Sequence, residues 1–437
     1  MADLFDQGTF SPAVAYWRGG QNGEVPVSFR PGSEWRTRYA RGKRVVSRRA
    51  SLALALMPVV ARAARAEADV TIGFLGQRRS PRTPVSPLDE VVTEPGLMGA
   101  RLAIADNAAS GRFLRQRFAL EERLNDAASA ARDFAAKGIG LIAAHLPAQM
   151  LLAAAAAAPG ALLLNSGAPD DALRNADCRA NLLHTVPSRA MLADGLAQYF
   201  AWKRWTRWAL VTGLSEGDGL LAEAYRRAAR RFGCEVVEEK SWTFRPGPGR
   251  ADTGHVTLQT EIPAFTRGLR DHDVLVVADE GDEFGAWLEG RTARPRPVAG
   301  THGLVATGWS PVVEQWGAAQ LQSRFRALAG RRMGPEDYAA WLAVRAVGEA
   351  ALRARSVDPA HIREALQNPD FLLAGYKGQG FSFRPWDGQL RQPVLIVRPR
   401  MLVSASPQPG FLHQVTPLDT LGHDRPESGC RRMEEQP

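Results

Sequence analysis

"RFALEERLNDAASAARDFAAKGIGLIAAHLPAQMLLAAAAAAPGALLLNSGAP", residues 117–169, is the stretch on which the fold turns. Residues 117–126 read as a strand, and residues 127–138 as an Ala-rich helix closed by Gly138. A second short apolar run follows at 139–147, a second helix at 148–160, and a third strand run at 161–169 that contains Asn165, Ser166 and Gly167. Strands separated by a helix run parallel, because a tight turn joins only antiparallel neighbours. Strict alternation of this kind predicts an α/β architecture, a parallel sheet covered by helices on both faces.

The same alternation extends outward. "VTIGFLG" (70–76) is a buried-strand run, and in "EPGLMGARLAIADN" (94–107) Leu97, Met98, Leu102 and Ile104 are spaced for one helical face. After "NLLHTVPSRA" (181–190) a second series begins, with strands at 208–213, 234–244 and 274–280, helices at 219–233 and 261–273, and further extended sequence over 297–309. Two similar units of about 120 residues each predict two Rossmann-like lobes. The rest is not a third unit: helices at 336–356 and 359–368, a hairpin at 378–390 turning on Trp386-Asp387-Gly388, a strand at 393–399 and a polar, turn-rich tail. Such a remainder fits a chain that returns to the first lobe and crosses again through several hinge strands. The expected division is 67–186 with 306–389 for the first lobe and 187–305 with 390–437 for the second.

A formal charge of +9 suggests a nucleic-acid partner until its distribution is considered. Residues 1–66 hold eleven Lys/Arg against four acids, leaving 44 basic and 42 acidic residues beyond, so no nucleic-acid partner is expected. The excess belongs to a leader with the anatomy of an export signal at 45–66. A basic stretch (Arg41 to Arg49) precedes an uncharged run from Ala50 to Ala61, and Ala64-Arg65-Ala66 matches an A-x-A cleavage pattern. As a helix that run rises only about 18 Å, short of the roughly 30 Å of a hydrocarbon core. Ser47-Arg48-Arg49 with Leu52 also resembles a twin-arginine signal, so either the general secretory or the twin-arginine route fits. Residues 1–44 lack a periodic apolar face and read as an over-extended translation start.

Three cysteines, Cys178, Cys234 and Cys430, permit one bridge or none. Cys178 with Cys430 is the favoured pair, since both lie in polar, loop-like sequence while Cys234 opens an apolar strand; three free thiols are the alternative.

The sequence contains no G-x-S-x-G, H-E-x-x-H, P-loop or C-x-x-C pattern, and its eight histidines have no metal-ligand spacing. What it offers is polar or small residues at the carboxyl ends of predicted parallel strands, where open α/β sheets bind ligands. His145, Ser166 and Gly167 hold such places in the first unit, and Asp279, Glu280 and Thr301 in the second. Ordinary strand-to-helix capping explains each alone; together they suggest a cleft between lobes.

The order of elements, with "EPGLMGARLAIADN", "NSGAPDDALR" (165–174), "NLLHTVPSRAMLADGLAQYF" (181–200) and "YKGQGFSFRPWDGQL" (376–390), resembles the type I periplasmic binding proteins of the Leu/Ile/Val-binding class over nearly all of 70–437. "EPGLMGARLAIADN" again, "DCRANLLHTVPSRAMLADGLAQYF" (177–200) and the tail "LDTLGHDRPESGC" (418–430) more narrowly resemble the ABC-transporter substrate-binding protein associated with pyrroloquinoline-quinone (PQQ)-dependent alcohol dehydrogenase systems. The resemblance implies a hinge-closing periplasmic receptor, not an enzyme. Its implied partners are a small solute, ABC permease subunits of the inner membrane and a PQQ dehydrogenase system; the quinone belongs to that system and is not assigned as a cofactor here. A sensor or assembly factor for the dehydrogenase is the alternative. The family's ligand loops fall on His145, where a small hydroxyl residue is usual, on Ser166 and Gly167, on Asp279 and Glu280, and on Thr301, with Tyr338 as an aromatic wall. "SEGDG" (215–219) replaces the family's Asp-Tyr-Gly, and both departures leave amino-acid binding in doubt.

Overall fold

The structure, a computed structural model, describes residues 68–80, 90–243 and 254–430, so the leader, its export signal and its translation start lie outside the described residues. Five strands alternate with helices in the first half: β1 (Ala68–Gly76), α1 (Leu97–Gly111), β2 (Gln116–Leu124), α2 (Ala127–Ala136), β3 (Leu141–His145), α3 (Ala148–Ala157), β4 (Leu162–Asn165) and β5 (Leu182–His184). They form one all-parallel sheet in the order β2-β1-β3-β4-β5. Side chains alternate across it, as the period of two requires. Val70, Ile72 and Phe74 face a core shared with Trp341 and Val344, while Leu75, Ile142 and Leu163 face Phe134 and Leu151 of α2 and α3.

The chain then builds a second sheet from α4 (Arg189–Lys203), β6 (Arg207–Thr212), α5 (Glu216–Arg231), β7 (Glu235–Ser241), α6 (Gly254–Arg267), β8 (Val274–Ala278), α7 (Gly285–Leu288), β9 (Val298–Gly300) and β10 (Leu304–Thr307). It returns to the first lobe with α8 (Ala318–Ala329), α9 (Pro335–Ala354), α10 (Pro359–Gln367), β11 (Leu373–Ala374) and β12 (Gly380–Phe381), then closes with β13 (Val394–Arg398) and β14 (Met401–Ser406). The second sheet has the order β14-β13-β10-β9-β8-β6-β7; its last two strands in sequence are antiparallel additions to a parallel five. β13 serves both cores, with Val394 and Ile396 packed into the second lobe and Leu395 and Val397 into the first.

Some details differ from the sequence expectation. β10 lies in the second sheet, so residues 306 and 307 belong to a second-lobe strand. The helix at Ala318–Ala329 and the strand at Met401–Ser406 were not expected. The Trp-Asp-Gly turn closes a single Phe383–Leu390 bridge, while Gly380–Phe381 pairs backward with Leu373–Ala374.

Local chemistry sets the helix entries. Ser188 accepts from the Met191 amide to cap α4, and Ser215 with Asp218 forms a capping box on α5. Gly99 lets α1 lie directly on α9, since a Cβ there would sit 1.8 Å from the Asp337 carbonyl oxygen.

The lobes are joined by three crossovers, at 185–188, 308–317 and 391–393. Gln392 donates to the Thr185 carbonyl at 2.7 Å, and the Thr185 hydroxyl donates to the Ala339 carbonyl at 2.8 Å. Buried Lys377 donates to Gln392 Oε1 and to the Pro393 carbonyl, and burial pushes its amine well below the usual lysine range. Cys178 and Cys430 form a disulfide, and Cys234 is free. No helix among the described residues is long and apolar enough to cross a membrane.

Candidate functional site

Both parallel sheets present the carboxyl ends of their strands, and the sequence-predicted residues lie there on two edges. His145 is the last residue of β3, and Ser166 and Gly167 follow β4 directly. The Ser166 hydroxyl donates to the Ala144 carbonyl at 3.2 Å and lies 3.4 Å from His145 Nδ1, while the Gly167 amide donates to Asn165 Oδ1. His145 is only 3% exposed, yet its Nε2 has no hydrogen-bond partner; it faces Glu336 Oε1 at 3.7 Å. Arg79 Nη1 reaches the same carboxylate oxygen at 2.7 Å. Burial would raise the Glu336 carboxyl, but the His145 and Arg79 contacts outweigh it and hold the group down to about 2. Gly96, at φ +78°, brings α1 onto this corner; a Cβ there would stand 3.0 Å from His145 Nδ1.

The second edge is self-contained. The Asp279 carboxylate accepts three backbone amides, from Glu283 (2.9 Å), Phe284 (2.9 Å) and Gly285 (2.7 Å), and so caps the start of α7. The Thr301 hydroxyl donates to the Val277 carbonyl, accepts the Asp279 amide and meets His302 Nδ1 at 3.0 Å. His302 Nε2 is 2.8 Å from Asp282 Oδ1. Donor atoms of Asp279, Asp282 and His302 lie within 4.8 Å of one another, but three amides already occupy Asp279, which suits a loop cap better than an open cation site.

Glu280 joins the two edges. It accepts both Nε (2.7 Å) and Nη2 (2.8 Å) of Arg189, whose Nη1 reaches Asp170 Oδ1 at 3.0 Å. Asp170 lies in the loop after β4 and Glu280 in the loop after β8, so an Asp–Arg–Glu chain spans the two carboxyl edges. Burial works against the Arg189 charge, and the two carboxylates overcome it, raising the guanidinium pKa further. Next to it Asp171 accepts the Ala190 amide, so a first-lobe loop caps a second-lobe helix.

Tyr338 opens no surface to a ligand. It is buried in a stack between Trp309 (centroids 4.3 Å apart) and Trp341 (6.0 Å), and its hydroxyl donates to the Gly375 carbonyl. It packs the junction of α9 with the second crossover rather than an open wall. At "SEGDG", Ser215 and Asp218 are consumed by the α5 capping box.

Sequence reasoning missed Arg79, Asp170, Arg189 and Glu336. A signal existed for one of them. Arg189 is the first residue of α4, where the helix dipole disfavours a cation unless carboxylates neutralise it.

No protein-family model matches the chain, and no curated protein matches it in sequence. Solved structures do match in fold. A branched-chain amino acid ABC transporter periplasmic ligand-binding protein from Burkholderia xenovorans aligns with a TM-score of 0.63 at 15% identity, over 83% of this chain and 100% of that one. A periplasmic binding protein from Burkholderia mallei aligns at 0.58 and 15%, over 84% and 99%. The leucine-, isoleucine-, valine-, threonine- and alanine-binding protein from Brucella ovis, in its closed conformation, aligns at 0.58 and 16%, over 75% and 89%. The likeness establishes the type I periplasmic binding protein fold.

Proposed function

We propose that the protein is the solute-binding component of an ABC import system, exported to the periplasm, which captures a small solute between its lobes by hinge closure. The observation that carries the reading is the Asp170–Arg189–Glu280 chain, which brings the carboxyl edges of two parallel sheets within side-chain reach. A solute seated there touches both lobes, and contact with both is what gives a ligand different affinities for open and closed states. On the first edge the ligand-facing groups are His145, whose Nε2 lacks a hydrogen-bond partner, and the Ser166 hydroxyl with the Gly167 amide beside it. On the second, Glu280 is the contact, with Asp279 and Thr301 shaping its loop and Tyr338 supporting the hinge from behind. The link to PQQ-dependent alcohol oxidation rests on the resemblance of residues 94–107, 177–200 and 418–430, and it nominates alcohols, aldehydes and organic acids as first solutes to try.

The test is a thermal-shift and calorimetric screen of the purified protein against alcohols, aldehydes, organic acids, amino acids and the quinone, repeated with Ser166→Ala. A binder should lose about 1 kcal/mol or more in the variant, since a lost partner leaves a buried polar group unpaired. No binder in any class would overturn the solute-binding reading.

A further inference from the structure

The tail after β14 does more than finish the second lobe. Thr420 Oγ1 accepts from Gln198 of α4 at 2.9 Å. The Gly422 carbonyl accepts from Arg227 and Arg231 of α5, and the Gly422 amide donates to Asp194, a fully buried carboxylate that also pairs with both arginines. These contacts fasten the tail to the second lobe.

The same short segment is fastened equally to the first. Arg384, in the Trp-Asp-Gly turn and 1% exposed, donates to Asp419 Oδ1 and to the carbonyls of Leu418, Leu421 and His423. Arg391 reaches the same Asp419 oxygen at 2.8 Å. That turn belongs to the first lobe, because Gln389 bridges His184 of β5. Further on, Ser428 donates to the Arg174 carbonyl, the Gly429 amide donates to Asn175 Oδ1, and Cys430 is bonded to Cys178.

We propose that residues 418–430 are a fourth inter-lobe connection, a strap closed covalently by Cys178–Cys430, which limits how far the hinge opens and fixes the loop carrying Ser166 and Asp170. Rotation of one lobe against the other must either carry the strap along or break the buried Arg384–Asp419 and Arg391–Asp419 pairs on one side or the hydrogen bonds of Thr420 and Gly422 on the other, and uncompensated buried charge is costly. The disulfide ties down the loop that starts at Ser166 and ends at β5; Arg174 of that loop also donates to Gln389 Oε1 and to the Ala168, Asp170 and Val186 carbonyls. The strap thus couples hinge angle to the geometry of the first edge.

The experiment needs no ligand. Amide hydrogen exchange is compared between the intact protein and the Cys178→Ser/Cys430→Ser variant. Should that variant fail to fold, the folded native protein treated with dithiothreitol replaces it. Loss of the bridge is expected to raise exchange about tenfold or more at Thr185, Leu390 and the Ser166–Asn175 loop, while β1 and β6 stay protected. Small-angle scattering should show a larger radius of gyration. Faster exchange confined to 418–430 with an unchanged radius would overturn the proposal and leave the bridge as a local staple. A uniform rise across both sheets would do so as well, by making it a global stabiliser.

Discussion

The two carboxyl edges look alike in sequence and differ in how far their hydrogen-bonding capacity is already used. On the second edge Asp279, Thr301 and His302 bond to one another or to nearby backbone. On the first, a buried imidazole nitrogen of His145 has no hydrogen-bond partner and stands 3.7 Å from a carboxylate. A polar residue at the end of a parallel strand is therefore a candidate ligand contact only to the extent that its own loop leaves it something to donate or accept. By that measure His145 is the contact with unspent capacity; Ser166, Gly167 and Glu280 already hold Ala144, Asn165 and Arg189 and would have to exchange them for a ligand, and Asp279 and Thr301 are framework.

The sharpest way to break this comparison is Asp279→Ala. Three amide donors would lose their acceptor at a buried site, so unfolding free energy should fall by about 3 kcal/mol in urea denaturation, the upper range for unsatisfied buried groups. If stability is unchanged, Asp279 is not a framework residue and the second edge is open to ligands after all.

Arg189→Met comes next. It leaves Asp170 and Glu280 facing each other across the lobes without their cation. Breaking a fully buried pair costs about 3–5 kcal/mol. Both carboxylates keep partial exposure, 24% and 29%, so about 2 kcal/mol is expected here after discounting for solvent screening. The measurement is denaturation paired with small-angle scattering, since mutual repulsion should also widen the separation of the lobes. A loss of stability with an unchanged radius would show that the ion chain staples local loops and does not bridge the edges.

The fold was legible because most of the parallel strands carry a short apolar run and alternate with helices of different composition; the edge strands β2 and β7 are more polar. The exceptions are instructive. α8, "AAQLQSRFRALA", intersperses glutamines, a serine and arginines among alanines, and buries only Ala318, Leu321 and Phe325. β14, "MLVSAS", is a half-exposed edge strand with no continuous apolar run. In the site, position at a strand end could be read and satisfaction could not. Asp279 is consumed by amides four to six residues onward, a local event that "DEGDEFG" (279–285) partly advertises. Arg189 finds its carboxylates 19 and 91 residues away, and Glu336 meets Arg79 from 257 residues away. Contacts at such separations are products of the tertiary fold, and only the misplaced charge at a helix start hinted at one of them.

The smallest effect expected is on acid stability, and it isolates the first edge. Glu336 titrates near 4.5 when unfolded and near 2 in the folded protein, so the unfolded chain binds the proton first as pH falls. The stabilisation is fully present above about pH 4.5 and is lost as pH falls toward 2, the sign expected for a depressed carboxylate. Glu336→Gln should flatten that part of the stability–pH curve and leave the curve above pH 5 nearly parallel to that of the native protein. Because the carboxylate is 41% exposed, the change in slope should be modest, and Arg79→Gln should reproduce part of it. Identical acid limbs in the native protein and Glu336→Gln would mean that neither His145 nor Arg79 perturbs this carboxylate, and the first edge would then be as self-contained as the second.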